Sequence, residues 1–199
     1  MTQINYTSQN MVVVSALYQF KDWPDFEKFR QPLIDLCSHL DIKGSLLIAA
    51  EGINGTVSGS REAINKLKAY LENDLGFERM EYKESSAPKH PFFRLKIKLK
   101  KEIVTLGKPK EANPNKKVGE YLSPKEWNNL LKDPNVVVVD TRNDYEYAVG
   151  TFKGALNPNT KSFRQFPDYV ENNLDPSKNE VVAMFCTGGI RCEKASSFM

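Results

Sequence analysis

"NVVVVDTRNDYEYAVG", residues 135–150, decides how the second half of this 199-residue chain reads. Four consecutive valines show no polar alternation, so the run reads as a strand buried on both faces, as in a parallel sheet. It ends in Asp140, Thr141 and Arg142, and ligands of open α/β sheets gather at the carboxyl ends of strands. A short helix follows, closed by Gly150. Outward from this stretch, "SPKEWNNLLKD" reads as a helix with Ser123 as N-cap and Pro124 in its first position. "FKGALNP" returns to the sheet, "SFRQFPDYVENNL" is helical with a break at Pro167, and "EVVAMFC" is a second buried strand. "EKASSFM" opens a last helix. Strands alternating with helices define an α/β unit over residues 122–199. A sheet of this kind continues with another strand and a closing helix, so the unit is expected to be truncated at its C-terminus.

The first half, residues 1–106, has a different rhythm. "MVVVSALYQF" is a buried strand. "DWPDFEKFRQPLIDLCSHLD" reads as a helix capped by Asp22, with Pro32 expected to kink or break it. "KGSLLIAAEGINGTVSGS" gives two strands joined by a tight turn at "EGING". "SREAINKLKAYLENDLGF" is a helix capped by Ser60, with Ala63, Ile64, Leu67, Tyr70 and Leu71 on its apolar face. "ERMEYKES" is a short strand. In "RLKIKLK", Leu95, Ile97 and Leu99 point one way and Arg94, Lys96, Lys98 and Lys100 the other. "EIVTLG" adds further strand material. The order β-α-β-β-α-β is that of an α+β ferredoxin-like, or acylphosphatase-like, domain. Residues 107–121, rich in Pro, Gly, Asn and Lys, read as an extended linker.

Composition narrows the function classes. A hydrophobic share of 40% and a charged share of 27% are those of a globular chain. No apolar run is long enough to span a membrane, and the polar N-terminus lacks an export signal. The expected location is cytoplasmic, where three irregularly placed cysteines are free thiols rather than a disulfide framework. Two histidines and no Cys-x-x-Cys pair point away from a zinc site, and no cofactor motif is evident. The net charge of +3 is unevenly spread. Between Lys83 and Lys117 eleven lysines and arginines face three glutamates, a basic tract suited to a polyanion such as nucleic acid. Lysines on an exposed strand also serve simply to block edge-to-edge pairing. Phe92 and Phe93 are either core residues or rings on which bases stack. Glu51 and Asn54 belong to a hairpin or face a partner domain.

The candidate chemistry lies in "MFCTGGIRC", residues 184–192. Cys186 ends a buried strand and a helix begins just after Arg191 or Cys192, so the intervening amides form an anion-binding nest. Gly188 and Gly189 permit the backbone angles. The helix terminus and the Arg191 guanidinium favour a thiolate at Cys186, with Thr187, Gly188, Gly189, Ile190 and Arg191 holding the anion. The plain alternative is an inert buried cysteine. Arg191 is otherwise a surface helix residue. Cys192 is either a small buried helix residue or a second, resolving thiol. Cys37 reads as core. Asp140 and Arg142 are a turn cap and a pocket residue, or an ion pair that holds the fold.

Residues 122–199 resemble a rhodanese domain: "VVVVDTRNDYEYAVGTFKGALNP" is similar to that family's N-terminal signature, and Cys186–Arg191 to its six-residue active-site loop. Thr151 stands where many rhodaneses carry histidine. Cys-based phosphatases need five residues between Cys and Arg, whereas four intervene here. Together with "AAEGINGTVSG" and "HPFFRLKIKLKKEIVTLG", the loop also resembles the tRNA uridine hydroxylase family, from Met11 onward. That resemblance implies O2-dependent 5-hydroxylation of the wobble uridine, with O2 as co-substrate and tRNA as partner. It implies Cys186 as the active-site or persulfide-forming cysteine. Arg94, Lys96, Lys98 and Lys100 are the candidate tRNA contacts. The competing reading is a sulfurtransferase or persulfide sulfur carrier, with a sulfur donor as partner.

Overall fold

The structure, a computed structural model, describes residues 11–199, which fall into two units: one ending at Ile103 and one starting at Val104. In the first, β1 (Val12–Phe20) is followed by a 3-10 turn (Phe26–Phe29), α1 (Arg30–His39), β2 (Lys43–Ala49) and β3 (Gly52–Gly59). Then come α2 (Arg61–Ala69), β4 (Glu81–Ala87) and β5 (Leu95–Leu99). The sheet order is β4-β1-β3-β2-β5. Its first four members pair antiparallel, and β5 adds to the β2 edge in parallel. This is the ferredoxin-like βαββαβ arrangement with one extra strand.

Alternation explains the layers. Val13, Leu17, Leu46, Ile48, Val57 and Ile97 share one face of the sheet and pack with Leu33, Cys37, Ile64 and Leu67 of the two helices. Each such buried leucine or isoleucine contributes about 1.5–3 kcal/mol. Trp23 stacks on Phe29 at 5.2 Å and meets Phe77 edge-on at 5.0 Å. The Ser60 hydroxyl accepts from Ala63 N at 3.1 Å and caps α2. The helix ends in a π turn (Tyr70–Asp74), and Lys21 Nζ donates to the carbonyls of Leu75 and Gly76 just beyond it.

Several expectations change. The first helix starts at Arg30, with no side-chain cap from Asp22, and Pro32 sits in its first turn, where no intrahelical N–H bond is lost. The hairpin turn is Ala50–Glu51, since Ala49 pairs with Gly52. The glycines of "EGING" are instead strand residues under close approach. A Cβ on Gly52, whose φ is +139°, would lie 2.1 Å from Gln19 O. "EIVTLG" is not a strand, because side chains take its backbone bonds: Ile103 N donates to Glu51 Oε1 and Asn54 Nδ2 donates to Ile103 O, both at 2.8 Å. Leu99, expected inward, is 44% exposed.

The second unit contains α3 (Pro124–Leu130), β6 (Val136–Asp140), α4 (Asp144–Val149), α5 (Phe166–Asn173), β7 (Val181–Phe185) and α6 (Ile190–Phe198). β6 and β7 pair in parallel from Val136↔Val181 to Asp140↔Phe185, and Leu156 adds one parallel bridge to Val139. Ser123 and Glu126 form a capping box at α3. Val139, Phe163, Phe166 and Ala195 form one core cluster. Leu106 and Ala112 are buried in that same cluster, so the connector around residues 107–121 is pinned to this unit by apolar contact.

Because the Gly52 backbone leaves no room for a side chain, Gly52→Ala is expected to cost at least about 1–3 kcal/mol. Urea unfolding measures this; an unchanged midpoint contradicts the packing described.

Candidate functional site: a thiol pair in a rhodanese-type loop

The parallel register of β6 and β7 brings Asp140 and Phe185 side by side, so both strands end at one edge. Cys186 follows at once, and α6 starts at Ile190, one residue before Arg191. Gly189, with φ +97°, turns the chain into that helix; Gly188 has no positive φ and nothing within 4 Å of a notional Cβ. Only the second glycine is therefore required by the backbone. Gly189 N donates to Cys186 Sγ at 3.0 Å, and the amides of Gly188 and Cys192 also point at that sulfur.

Starting the helix at Ile190 places Cys192 in its first turn, facing back on Cys186. The Cys192 thiol, acting as a donor, is the largest influence on Cys186 and pulls its pKa well below the ordinary thiol range; burial opposes it, and the three amides assist. Cys192 is driven far the other way by the same bond, by burial and by the neighbouring negative charge. The two thiols are thus coupled, with negative charge favoured on Cys186. The Thr141 hydroxyl lies 3.6 Å from Cys192 Sγ and 3.1 Å from the Phe185 carbonyl.

Both arginines of the site are paired with carboxylates. Arg191 makes a two-pronged bond to Glu146, Nη1 to Oε2 at 2.7 Å and Nη2 to Oε1 at 2.9 Å, and Thr187 Oγ1 donates to Oε1 at 2.9 Å. It also reaches Cys186, but its charge is already matched by a carboxylate. Arg191, then Thr187 and the Asn143 amide, hold the Glu146 pKa down to about 2 against the effect of burial. Asp140, wholly buried, accepts from Arg142 Nε at 2.9 Å, Arg142 Nη2 at 2.7 Å and Thr151 Oγ1 at 2.9 Å. Burial raises its pKa, yet the Arg142 and Thr151 bonds keep it below the usual carboxylate value. Arg142 Nη2 also donates to Gly150 O at 2.6 Å. Asp140 and Arg142 are thus an ion pair that fixes the strand end. Glu146 was not among the expected site residues; its only sequence signal is the glutamate of the rhodanese-like signature.

A hollow of about 270 Å³ opens beside the sulfur, lined by Arg142, Gly150, Thr151, Phe152, Phe185 and Cys186. Phe152, Phe185 and Trp127 form an aromatic cluster next to it, with centroids 4.8–6.1 Å apart. Among the described residues, no group of three His, Cys, Asp or Glu side chains is placed to hold a metal.

In the first unit, Arg94, Lys96, Lys98 and Lys100 are exposed along the outer strand β5, and none has an ion-pair partner among the described residues. Phe93, immediately before them, is wholly exposed, whereas Phe92 is half-buried. Glu51 and Asn54 are spent on Ile103 within this unit. Cys37 is buried in the core, and burial pushes its thiol up to about 12.

Residues 12–103 match the family model described as the UPF0176 acylphosphatase like domain, and residues 123–199 match the rhodanese-like domain. The chain is 59% identical over 187 residues to a protein of Teredinibacter turnerae named tRNA uridine(34) hydroxylase, covering 94% of this chain and 58% of that protein. By sequence the chain is similar to that protein over nearly all of its own length. A relative of the same name from a Picosynechococcus species is 55% identical over 187 residues, 94% of this chain and 62% of its own. The chain thus spans about three-fifths of the length of these curated relatives. Among solved structures, an acylphosphatase from Coxiella burnetii aligns to 48% of this chain and all of its own, at 12% identity and a TM-score of 0.34. Among the described residues no helix is long and apolar enough to cross a membrane.

Two outcomes follow from the geometry. Cys186 is expected to alkylate rapidly at about pH 6, where an ordinary thiol of pKa ~8.5 is protonated. Cys192→Ala, which removes the largest stabilising donor, is expected to shift that reactivity toward the ordinary range. Identical pH profiles for the two proteins contradict the coupling of the two thiols. Glu146 is depressed to about 2 from about 4.3 in an unfolded chain, so its stabilising contribution is full above about pH 4.5 and is lost as pH falls toward 2. Glu146→Gln should lower neutral-pH stability and flatten the acid side of the curve; parallel curves argue against the clamp.

Proposed function

We propose that the chain carries the reaction centre of a tRNA-modifying hydroxylase, performing O2-dependent 5-hydroxylation of the wobble uridine with O2 as co-substrate. The supporting observation is a cysteine sulfur that accepts from the Gly189 amide in a rhodanese-type loop, in a chain 59% identical to a protein named tRNA uridine(34) hydroxylase. Cys186 is the catalytic residue. Thr187, Gly188, Gly189, Ile190 and Arg191 shape the loop around its charge, Arg191 through Glu146. Cys192 is the second thiol, and its proximity favours negative charge on Cys186. The β5 stripe of Arg94, Lys96, Lys98 and Lys100 contacts the tRNA backbone, and Phe93 offers a stacking face.

Nucleoside mass spectrometry tests the reading. tRNA from cells lacking the protein, or carrying Cys186→Ser, is expected to lack 5-hydroxyuridine-derived nucleosides; unchanged levels in a strain without a parallel pathway defeat it. Lys96→Gln and Lys98→Gln are each expected to weaken tRNA binding and lower the log–log salt slope by about 1. An unaltered slope removes the stripe from the interface.

A second reading is favoured by the same loop. Donors that hold a thiolate also hold the terminal sulfur of a persulfide, so a sulfurtransferase or sulfur carrier loaded by a sulfur donor fits Cys186. Fast thiosulfate-to-cyanide sulfur transfer, with tRNA hydroxylation intact in Cys186→Ser, favours it over the first.

A further inference from the structure

The hollow next to Cys186 has features that the loop chemistry does not use. At about 270 Å³ it lies just below the ~300 Å³ at which sites for drug-sized ligands begin, which suits a single heterocycle. Phe152 is 42% exposed yet held by edge contacts to Phe185 at 4.8 Å and Trp127 at 5.5 Å. A ring that is both rigid and open is a stacking platform for a base. Arg142 cannot swing, because Nε and Nη2 are tied to Asp140 and the Gly150 carbonyl. Its Nη1 makes no hydrogen bond among the described residues, which leaves a fixed pair of donors on a residue that lines the hollow. Thr151 gives its hydroxyl proton to the same Asp140 oxygen, so its own oxygen is left as an acceptor.

A donor and an acceptor held side by side by one carboxylate match the O4 and N3–H edge of uracil. They mismatch cytosine, which presents an amino donor and a bare N3 there. We propose that this hollow is the pocket for the target base: uracil stacks on Phe152, Arg142 Nη1 donates to O4, Thr151 Oγ1 accepts from N3–H, and Cys186 adds to C6. This rests on the reading of the chain as a uridine hydroxylase and names how that site engages its base.

In the addition, the sulfur lone pair forms the S–C6 bond. The C5=C6 electron pair moves to C5 and is shared with O4 as an enolate, beside the Arg142 guanidinium. A solvent proton adds at C5. Reversal removes a C5 hydrogen, re-forms C5=C6 and returns the S–C6 pair to sulfur. Nothing is oxidised, and the net result is exchange of the C5 hydrogen with solvent. The same step makes C5 nucleophilic, and C5 is the carbon that the hydroxylation must functionalise.

The test is anaerobic incubation of the complete protein with unmodified tRNA in D2O, followed by nucleoside mass spectrometry, beside an aerobic hydroxylation assay. One deuterium at C5 of one uridine is expected, abolished in Cys186→Ser. Phe152→Leu keeps the apolar contact but loses the stacking face, and should slow exchange by about tenfold or more, with Phe152→Tyr restoring it. Thr151→Val should admit cytosine at the target position. Hydroxylation without exchange, or exchange that survives Cys186→Ser, overturns the proposal and leaves the hydroxylase reading standing. Exchange without hydroxylation keeps the pocket and defeats that reading, and absence of both overturns the two together.

Discussion

A sulfur anion that is largely withdrawn from water must be held by hydrogen-bond donors, and the second unit is arranged to supply them. Gly189 N donates to Cys186 Sγ at 3.0 Å, and the Gly188 and Cys192 amides and the Cys192 thiol favour the anion there. Around them, two arginines are each matched by a carboxylate, Arg142 by Asp140 and Arg191 by Glu146. The charges of these two arginines are therefore already matched. Neutral donors, fixed in place by the fold, stabilise the sulfur anion without moving when a substrate arrives. The ion pairs act at one remove: by tying β6, α4 and α6 together they fix where those donors point.

The first unit rests on a different constraint, the close approach of backbones. Gly44, Gly52 and Gly55 stand where a Cβ would fall 2.1–2.2 Å from a carbonyl of a neighbouring strand. Small residues there let β1, β2 and β3 draw together and leave β5 on the rim, with its lysines in solvent. Positive side chains on an outer strand both discourage pairing with another sheet and attract a polyanion. The two roles are compatible, which is why such a stripe costs the fold little.

What was legible in the sequence was local. Ser60 and Ser123 announce their helices because a cap acts within three residues. The four valines before Asp140 announce a buried parallel strand because nothing polar interrupts them. What was not legible needed information from farther along the chain. "EIVTLG" has strand composition, but Glu51 and Asn54, about fifty residues earlier, claim its backbone. Arg191 sits in the sixth loop position, which gives no sign that Glu146 neutralises it from α4. Cys192 turned on a single residue: a helix starting at Ile190 rather than after Arg191 rotates its thiol onto Cys186. Tertiary pairing decided each of these, and periodicity does not encode it.

If neutral donors hold the negative charge on Cys186, the ultraviolet absorbance of a thiolate reports it without a reactive probe. The measurement is a pH titration of that absorbance, taken as the difference between the protein and its Cys186→Ser variant. A thiolate signal already complete at neutral pH and lost only in acid is the expected result. A signal that rises only near pH ~8.5, where free cysteine ionises, would show that the loop does not stabilise the anion.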